Sequence, residues 1–263
     1  MLNKNAQSNG LAILAIEKAW AGTCKAVLGG GLPPMRELEA YLSRHAEACH
    51  VEKSSISGKP LVAFGNYPPG TKFMRGAEIL EYEALMRNSK LGINDIKDID
   101  SAIRAVSEIG IYAGDIVLGN SGNVVDSTRV VDSTNIFRSS DVIYSKNVAY
   151  TRIAKYCESV FGCASAGKGT MFAIGCNEMY MSNRTFECFY IYSSSDVCYS
   201  ANIENCQDCL FSFNQRGKRR LIGNRELSAD KYAQLKSKLL SEAKDMLSSR
   251  KSVPSIYEII RGD

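Results

Sequence analysis

Between Leu118 and Asn214 apolar residues recur at every sixth position. Leu118, Val124, Val130, Ile136, Val142, Val148, Ala154 and Val160 open eight hexads in register. After one extra residue, Ala166, eight more open at Gly167, Ala173, Met179, Thr185, Ile191, Val197, Ile203 and Cys209. The fourth place of all sixteen hexads, from Ser121 to Ser212, is Ser, Thr or Cys, although these types supply only 45 of the 263 residues. A fixed period of this kind predicts a parallel β-solenoid. Each coil hydrogen-bonds to its neighbours and equivalent side chains stack in columns. The small column is expected to face inward. Asn or Asp often closes the hexad, at Asn123, Asn135, Asp141, Asn147, Asp196, Asn202, Asp208 and Asn214. These types tolerate left-handed geometry and hydrogen-bond their own backbone, so they are expected at corners. The aliphatic leading column argues against a disordered Ser/Asn tract.

The second place of the hexad indicates how many hexads make a coil. Every other hexad carries Val125, Phe137, Ala149, Phe161, Ile174, Phe186, Cys198 or Leu210, all apolar. The intervening set, Gly119, Val131, Ile143, Lys155, Lys168, Tyr180, Tyr192 and Glu204, is mixed. A period of twelve fits two hexads per coil, with one wall covered and the other partly wet. Three hexads per coil would mix the two sets.

The flanks have a different pattern. Residues 1–10 are polar and read as a flexible arm. Leu11 to Leu28 has a helical stripe of Ile13, Ile16, Trp20, Cys24 and Val27, and Gly29-Gly30-Gly31 ends it. Met35 to Ala48 reads as a second helix. A strand at Leu61–Phe64 has possible partners near Val51 and Lys72–Met74. Helical spacing returns at Ala77–Met86 and Ile96–Ile109. Residues 11–117 are therefore expected to form an α/β domain that caps the first coil, because open sheet edges need covering. The solenoid is assigned to 118–224, and residues 225–263 to a C-terminal helix and tail. Ser228 is the expected N-cap of that helix, and its stripe of Tyr232, Leu235, Leu239, Ala243 and Met246 is expected to lie along the apolar wall. The fold class expected is α+β: a hexad-repeat parallel β-solenoid with an N-terminal α/β cap and a C-terminal helix.

A formal charge of +4 gives no strong pull toward nucleic acid. No apolar run reaches the ~18 residues that would suggest a membrane span, and Met1 to Gly10 lacks the order of a secretory signal. Five of the nine cysteines (Cys157, Cys163, Cys176, Cys188, Cys206) alternate with Ser and Thr in the small column, as reduced buried thiols do. A reducing, cytoplasmic setting or a place in an assembled virion is expected.

Candidate chemistry is sparse. Gly162 to Thr170 approaches a phosphate-binding loop, but Gly169 stands where the hydroxyl should follow Lys168, and no helix follows. It reads as a Gly-rich bulge. Cys206 and Cys209 have CxxC spacing, but they belong to two different columns, so structural thiols are expected rather than zinc. The only histidines, His45 and His50, lie outside the coils. Hexapeptide-repeat acyltransferases generally use a coil histidine as base. Without one, a carboxylate such as Asp126, Asp132 or Glu187 is the remaining base type. Arg216, Lys218, Arg219 and Arg220 form a basic cluster able to meet an anion. No cofactor, metal or catalytic residue is assigned.

The array and its exit, Cys206-Gln207-Asp208-Cys209-Leu210-Phe211-Ser212-Phe213-Asn214 followed by Arg216, Lys218, Arg219, Ile222-Gly223-Asn224 and the closing helix, resemble uncharacterised Cys-rich hexad-repeat proteins associated with phages and small-genome prokaryotes. The likeness covers about residues 90–245. It implies no functional residue and favours a virion or other assembly component. The expected function is thus non-catalytic: a rigid solenoid in a homo-oligomer or larger assembly, with Phe137, Phe161, Ile174, Phe186 and Leu210 as its interface. The alternative is a hexapeptide-type acyl- or sugar-transferase. Protein subunits are the expected partners, with neither membrane nor nucleic acid.

Overall fold

The computed structural model describes residues 2–88 and 96–262. Helix α1 (Leu2–Leu28) is followed by α2 (Glu39–Leu42), a single turn flanked by 3-10 turns at Met35–Leu38 and Ser43–His45. Strands β1 (Cys49–Lys53) and β2 (Pro60–Phe64) form an antiparallel pair. Strand β3 (Phe73–Arg75), helices α3 (Ile79–Asn88) and α4 (Ile99–Ile109), and β4 (Tyr112–Gly114) come next, with β4 parallel to β3. Two-stranded coils then run from β5 (Val117–Leu118) to β22 (Arg219–Ile222), and β23 (Arg225–Glu226) folds back antiparallel on β22. Helices α5 (Ala229–Arg250) and α6 (Ile256–Arg261) close the order.

The array is a parallel β-solenoid with two walls. Odd-numbered strands from β5 form a nine-stranded sheet, and even-numbered strands up to β22, with β23, a ten-stranded one. Pairing advances by twelve residues, as in Ile136 to Val148 to Val160 and Val130 to Val142 to Ala154. The leading column points into the coil, where Val130, Ile136, Val142, Val148, Val160 and Ile191 are fully buried.

The small column forms the inner edge of both corners. Ser139 Oγ donates to the Phe137 carbonyl at 2.8 Å and accepts the Thr151 amide of the next coil at 3.1 Å. Ser133 does the same with Val131 and Ser145, and the ladder continues through Cys163 to Cys176. A hydroxyl or thiol at this place thus satisfies two backbone groups that water cannot reach.

Two placements differ from expectation. Ala154 pairs with Ala166, and Ala166 with Met179, so Ala166 holds a leading place and the extra residue falls within Gly167–Gly169. The hexad-closing residues are not at corners. Asn135 (φ 58°) and Asp208 (φ 58°) lie inside strands, while the corners carry a second left-handed residue such as Asp132 (φ 45°) or Tyr144 (φ 47°). Side chains of the closing column bond between coils: Asn123 Nδ2 to Asn135 Oδ1 at 2.8 Å, Asn135 to Asn147 at 2.8 Å, and Asn202 to Asn214 at 2.7 Å. Arg129 with Asp141, and Arg184 with Asp196, replace the amide pair by ion pairs one coil apart. Left-handed backbone costs an L-residue roughly 1–2 kcal/mol, and these ladders offset it.

Residues 11–117 do not act as one cap. Helix α1 crosses the apolar wall, burying Ala12, Ile16, Trp20, Cys24 and Val27 with Phe137, Phe161, Ile174 and Phe186. The Trp20 and Phe161 rings meet edge-on at 5.3 Å. Residues 2–10, expected as a flexible arm, are the first turns of this helix. No proline interrupts that stretch. Helix α5 covers the far end, where Lys236 Nζ reaches Asp208 Oδ1 at 2.8 Å. Among the described residues, 49–88 and 96–114 form the α/β part next to the first coil. There the Val62 amide donates to Asp115 Oδ1 at 2.7 Å. The C-terminal tail is ordered as well, with Ser255 capping α6.

Candidate functional site

The predicted interface residues are closed off by the chain itself. Phe161, Ile174, Phe186 and Leu210 have no exposed surface, and Phe137 keeps 4 %. As a docking face for a partner this wall is therefore corrected. It is an internal seam between solenoid and helices, in which each large side chain contributes about 1.5–3 kcal/mol by leaving water.

The seam includes one polar cluster. Glu187, a corner residue in left-handed geometry (φ 52°), is fully buried. Its carboxyl accepts a 2.5 Å hydrogen bond from Tyr41 and pairs with the Arg44 guanidinium. The Ile256 amide approaches its other oxygen at 3.4 Å. Arg44 Nη1 also donates to the Val253 carbonyl at 3.0 Å, and Asn177 donates to the Tyr257 hydroxyl at 2.6 Å. Segments distant in sequence thus meet on one coil. Burial pushes the Glu187 carboxyl up to about 8 despite Arg44. Burial, with Arg44 adding to it, lowers the adjacent His45 to about 4. Its Nε2 is buried without a hydrogen-bond partner. A β-carbon at Gly175 would collide with the Glu187 carboxyl, so only glycine fits one coil below it. The sequence offered Glu187 as one of three coil carboxylates of the type that can act as a base. Nothing in its own coil signals burial, because the groups that bury it come from other elements.

The remaining candidates are dispersed. Asp132 accepts the Asn120 amide at 2.8 Å, and Asp126 lies 3.9 Å from Arg138. The basic cluster is split across the last coil. Arg216 pairs with Glu204 at 3.1 Å on one wall, whereas Arg219 and Arg220 belong to β22 on the other. The nine thiols are free, and Cys49 alone is exposed. Cys206 and Cys209 bond separately to the Glu204 and Gln207 carbonyls. Among the described residues no group of three or more His, Cys, Asp or Glu side chains is placed to hold a metal. In the glycine-rich bulge the amides of Gly167, Gly169 and Thr170 are spent on Met179, Tyr156 and Gly167. They form no phosphate cradle.

Among the described residues, large apolar and aromatic side chains are exposed on helices α3 and α4 and on the wet wall, among other places. Helix α4, capped by Asp98 with Ser101, presents Ile99, Ile103 and Val106 to solvent, at 73, 58 and 52 % exposure. Ile79, Leu80 and Leu85 of α3 are exposed too, and Tyr82 of α3 donates to the Ile109 carbonyl at 3.0 Å. On the wet wall and its corner, Tyr144, Tyr156, Tyr180, Tyr190 and Tyr192 are exposed.

Fold and surfaces together define the class as a two-walled parallel β-solenoid whose apolar wall is sealed by its own terminal helices. Comparison of the chain with family models, curated proteins and solved structures finds no match. Among the described residues no helix is long and apolar enough to cross a membrane.

Proposed function

We propose that the protein is a non-catalytic structural module, a rigid solenoid that self-associates and serves as a building block of a larger assembly such as a virion. The apolar face of α4 supports this. Ile99, Ile103 and Val106 make a stripe about 10 Å long on a helix whose flank beside the stripe carries Asp100 and Arg104. Apolar patches of this kind normally mark interaction sites. A second copy suits it. In a twofold antiparallel pairing, the same flank of each helix faces its counterpart in reverse direction, so Asp100 of one copy meets Arg104 of the other. The sealed Phe137–Leu210 seam supplies stiffness, and α4 the contact.

Sedimentation of the intact protein tests this. The wild type should sediment as an oligomer. Ile103→Glu and Val106→Glu should shift it to monomer with unchanged melting, because both side chains already face water within one chain. A wild type that stays monomeric at high concentration would overturn the reading, as would variants that sediment like it.

A further inference from the structure

One corner column of the solenoid reads Asp132, Tyr144, Tyr156, Gly169, Met181, Ser193, one residue per coil and all in left-handed backbone. The Tyr144 and Tyr156 rings stack with centroids 5.1 Å apart and planes 20° from parallel. Both are half exposed. The next rung is Gly169, whose amide donates to the Tyr156 carbonyl at 3.1 Å. The ladder is therefore continuous in the backbone but has a missing rung in the side chains. Beyond it stands Met181, also exposed.

Coils repeat at ~4.8 Å, so Tyr156 and Met181 are roughly 9.6 Å apart along the axis. A planar ring placed midway would lie ~4.8 Å from each, within the offset-stacking range of ~4.5–7 Å. Met181 leans toward Gly169, its Cγ 3.5 Å from where a β-carbon would be. A thioether is a pliable second jaw with favourable contacts to rings. Asp132, Tyr144, Tyr156 and Gly169 of this column line a groove of about 460 Å³ with Thr134, Lys146 and Glu158. On its other side Lys155 and Lys168 are exposed, and neither has an ion-pair partner among the described residues.

We propose that the gap at Gly169 is a binding site for a planar aromatic anion, of which a mononucleotide is the type. The base occupies the missing rung between Tyr156 and Met181, and the phosphate meets the ammonium groups of Lys155 and Lys168. Recognition is by side chains, since the amides of Gly167, Gly169 and Thr170 are already used. This site is separate from α4 and does not depend on the oligomer.

Titration of the full-length protein with AMP, adenosine and inorganic phosphate, followed by calorimetry, tests the site. AMP should bind saturably at one site per chain, adenosine about ten-fold more weakly, and phosphate without saturation. Gly169→Tyr completes the ladder with the residue that Tyr144 and Tyr156 already place in this backbone geometry. It should abolish AMP binding while leaving melting unchanged. Tyr156→Leu keeps the gap but removes the stacking partner, and should weaken AMP by about ten-fold or more, in line with base–aromatic stacking elsewhere. Lys168→Gln with Lys155→Gln should lower AMP to the level of adenosine without altering adenosine. No saturable AMP binding by the wild type would overturn the proposal. So would unchanged binding in Tyr156→Leu, a readout that stands even if Gly169→Tyr fails to fold.

Discussion

The Tyr41 hydroxyl donates a 2.5 Å hydrogen bond to the Glu187 carboxyl, joining residues 146 positions apart in a site that water does not reach. The bond holds α2 to a corner of the solenoid through a buried acid. It also makes stability depend on pH. Glu187 is raised to about 8 in the folded chain by burial. A carboxyl in the unfolded chain titrates near ~4.3. The folded state therefore holds the proton more tightly, and stability from this group is lost as pH rises toward 8. His45, lowered to about 4 by burial, acts in the opposite sense, and its contribution is lost as pH falls through the range below ~6.5. Denaturant unfolding should show stability rising as pH falls from 8 to about 6.5, then flattening where the two oppose each other. Glu187→Gln should remove the upper slope. An unchanged slope in that variant would show that another group is responsible.

The inner-edge hydroxyls should be sensitive to deletion. Ser139→Ala leaves the Thr151 amide unpaired in the interior, while the Phe137 carbonyl keeps the Tyr150 amide, at a cost of about 1–3 kcal/mol. Ser133→Phe should cost a similar ~1–3 kcal/mol by overpacking. Melting temperatures equal to wild type for both would contradict the inward column.

Thiol reactivity should separate one cysteine from eight. Burial pushes Cys157 up to about 11, and raises Cys163 and Cys188 well above the ordinary thiol range. Cys49 is the exposed one. Native labelling with a maleimide should modify about one thiol per chain quickly, and the remainder only in denaturant. Mass spectrometry reads the count; rapid native labelling of Cys163 or Cys188 would argue against the packed stack.

Much of the fold was legible because a repeat states its rule many times. Sixteen instances of the small column placed it inward, and the alternation of Phe137, Phe161 and Phe186 with Ile143, Lys155 and Tyr192 revealed two walls. The covers are different. That α1 begins at Leu2 and crosses the wall depends on a tertiary match between one helix and many coils, which no local window holds. The burial of Glu187 was not readable for the same reason, since Tyr41, Arg44 and Ile256 come from both ends of the chain. The Asn ladders were half seen. Composition pointed to left-handed backbone, but not to strand interiors, because the preference of Asn for that geometry is the same in either place. Exposure of α4 was also not readable, since a helical stripe at Ile99, Ile103 and Val106 has the same spacing whether or not the chain covers it.

The fit of α1 to the wall has a consequence for growth. Between Ala12 and Leu28 the helix axis advances ~24 Å. The six strands it crosses, from Gly122–Val125 to Asn183–Phe186, span five spacings, also ~24 Å. Duplicating one coil would keep every hydrogen-bond ladder intact, since twelve residues restore the register. It would nonetheless leave an apolar strip beyond the Ala12–Leu28 stripe unless that stripe lengthened by about three residues, from 1.5 Å of rise against 4.8 Å of spacing. A repeat with no internal limit is thus gauged by a segment made before it, and the two lengths can change only together.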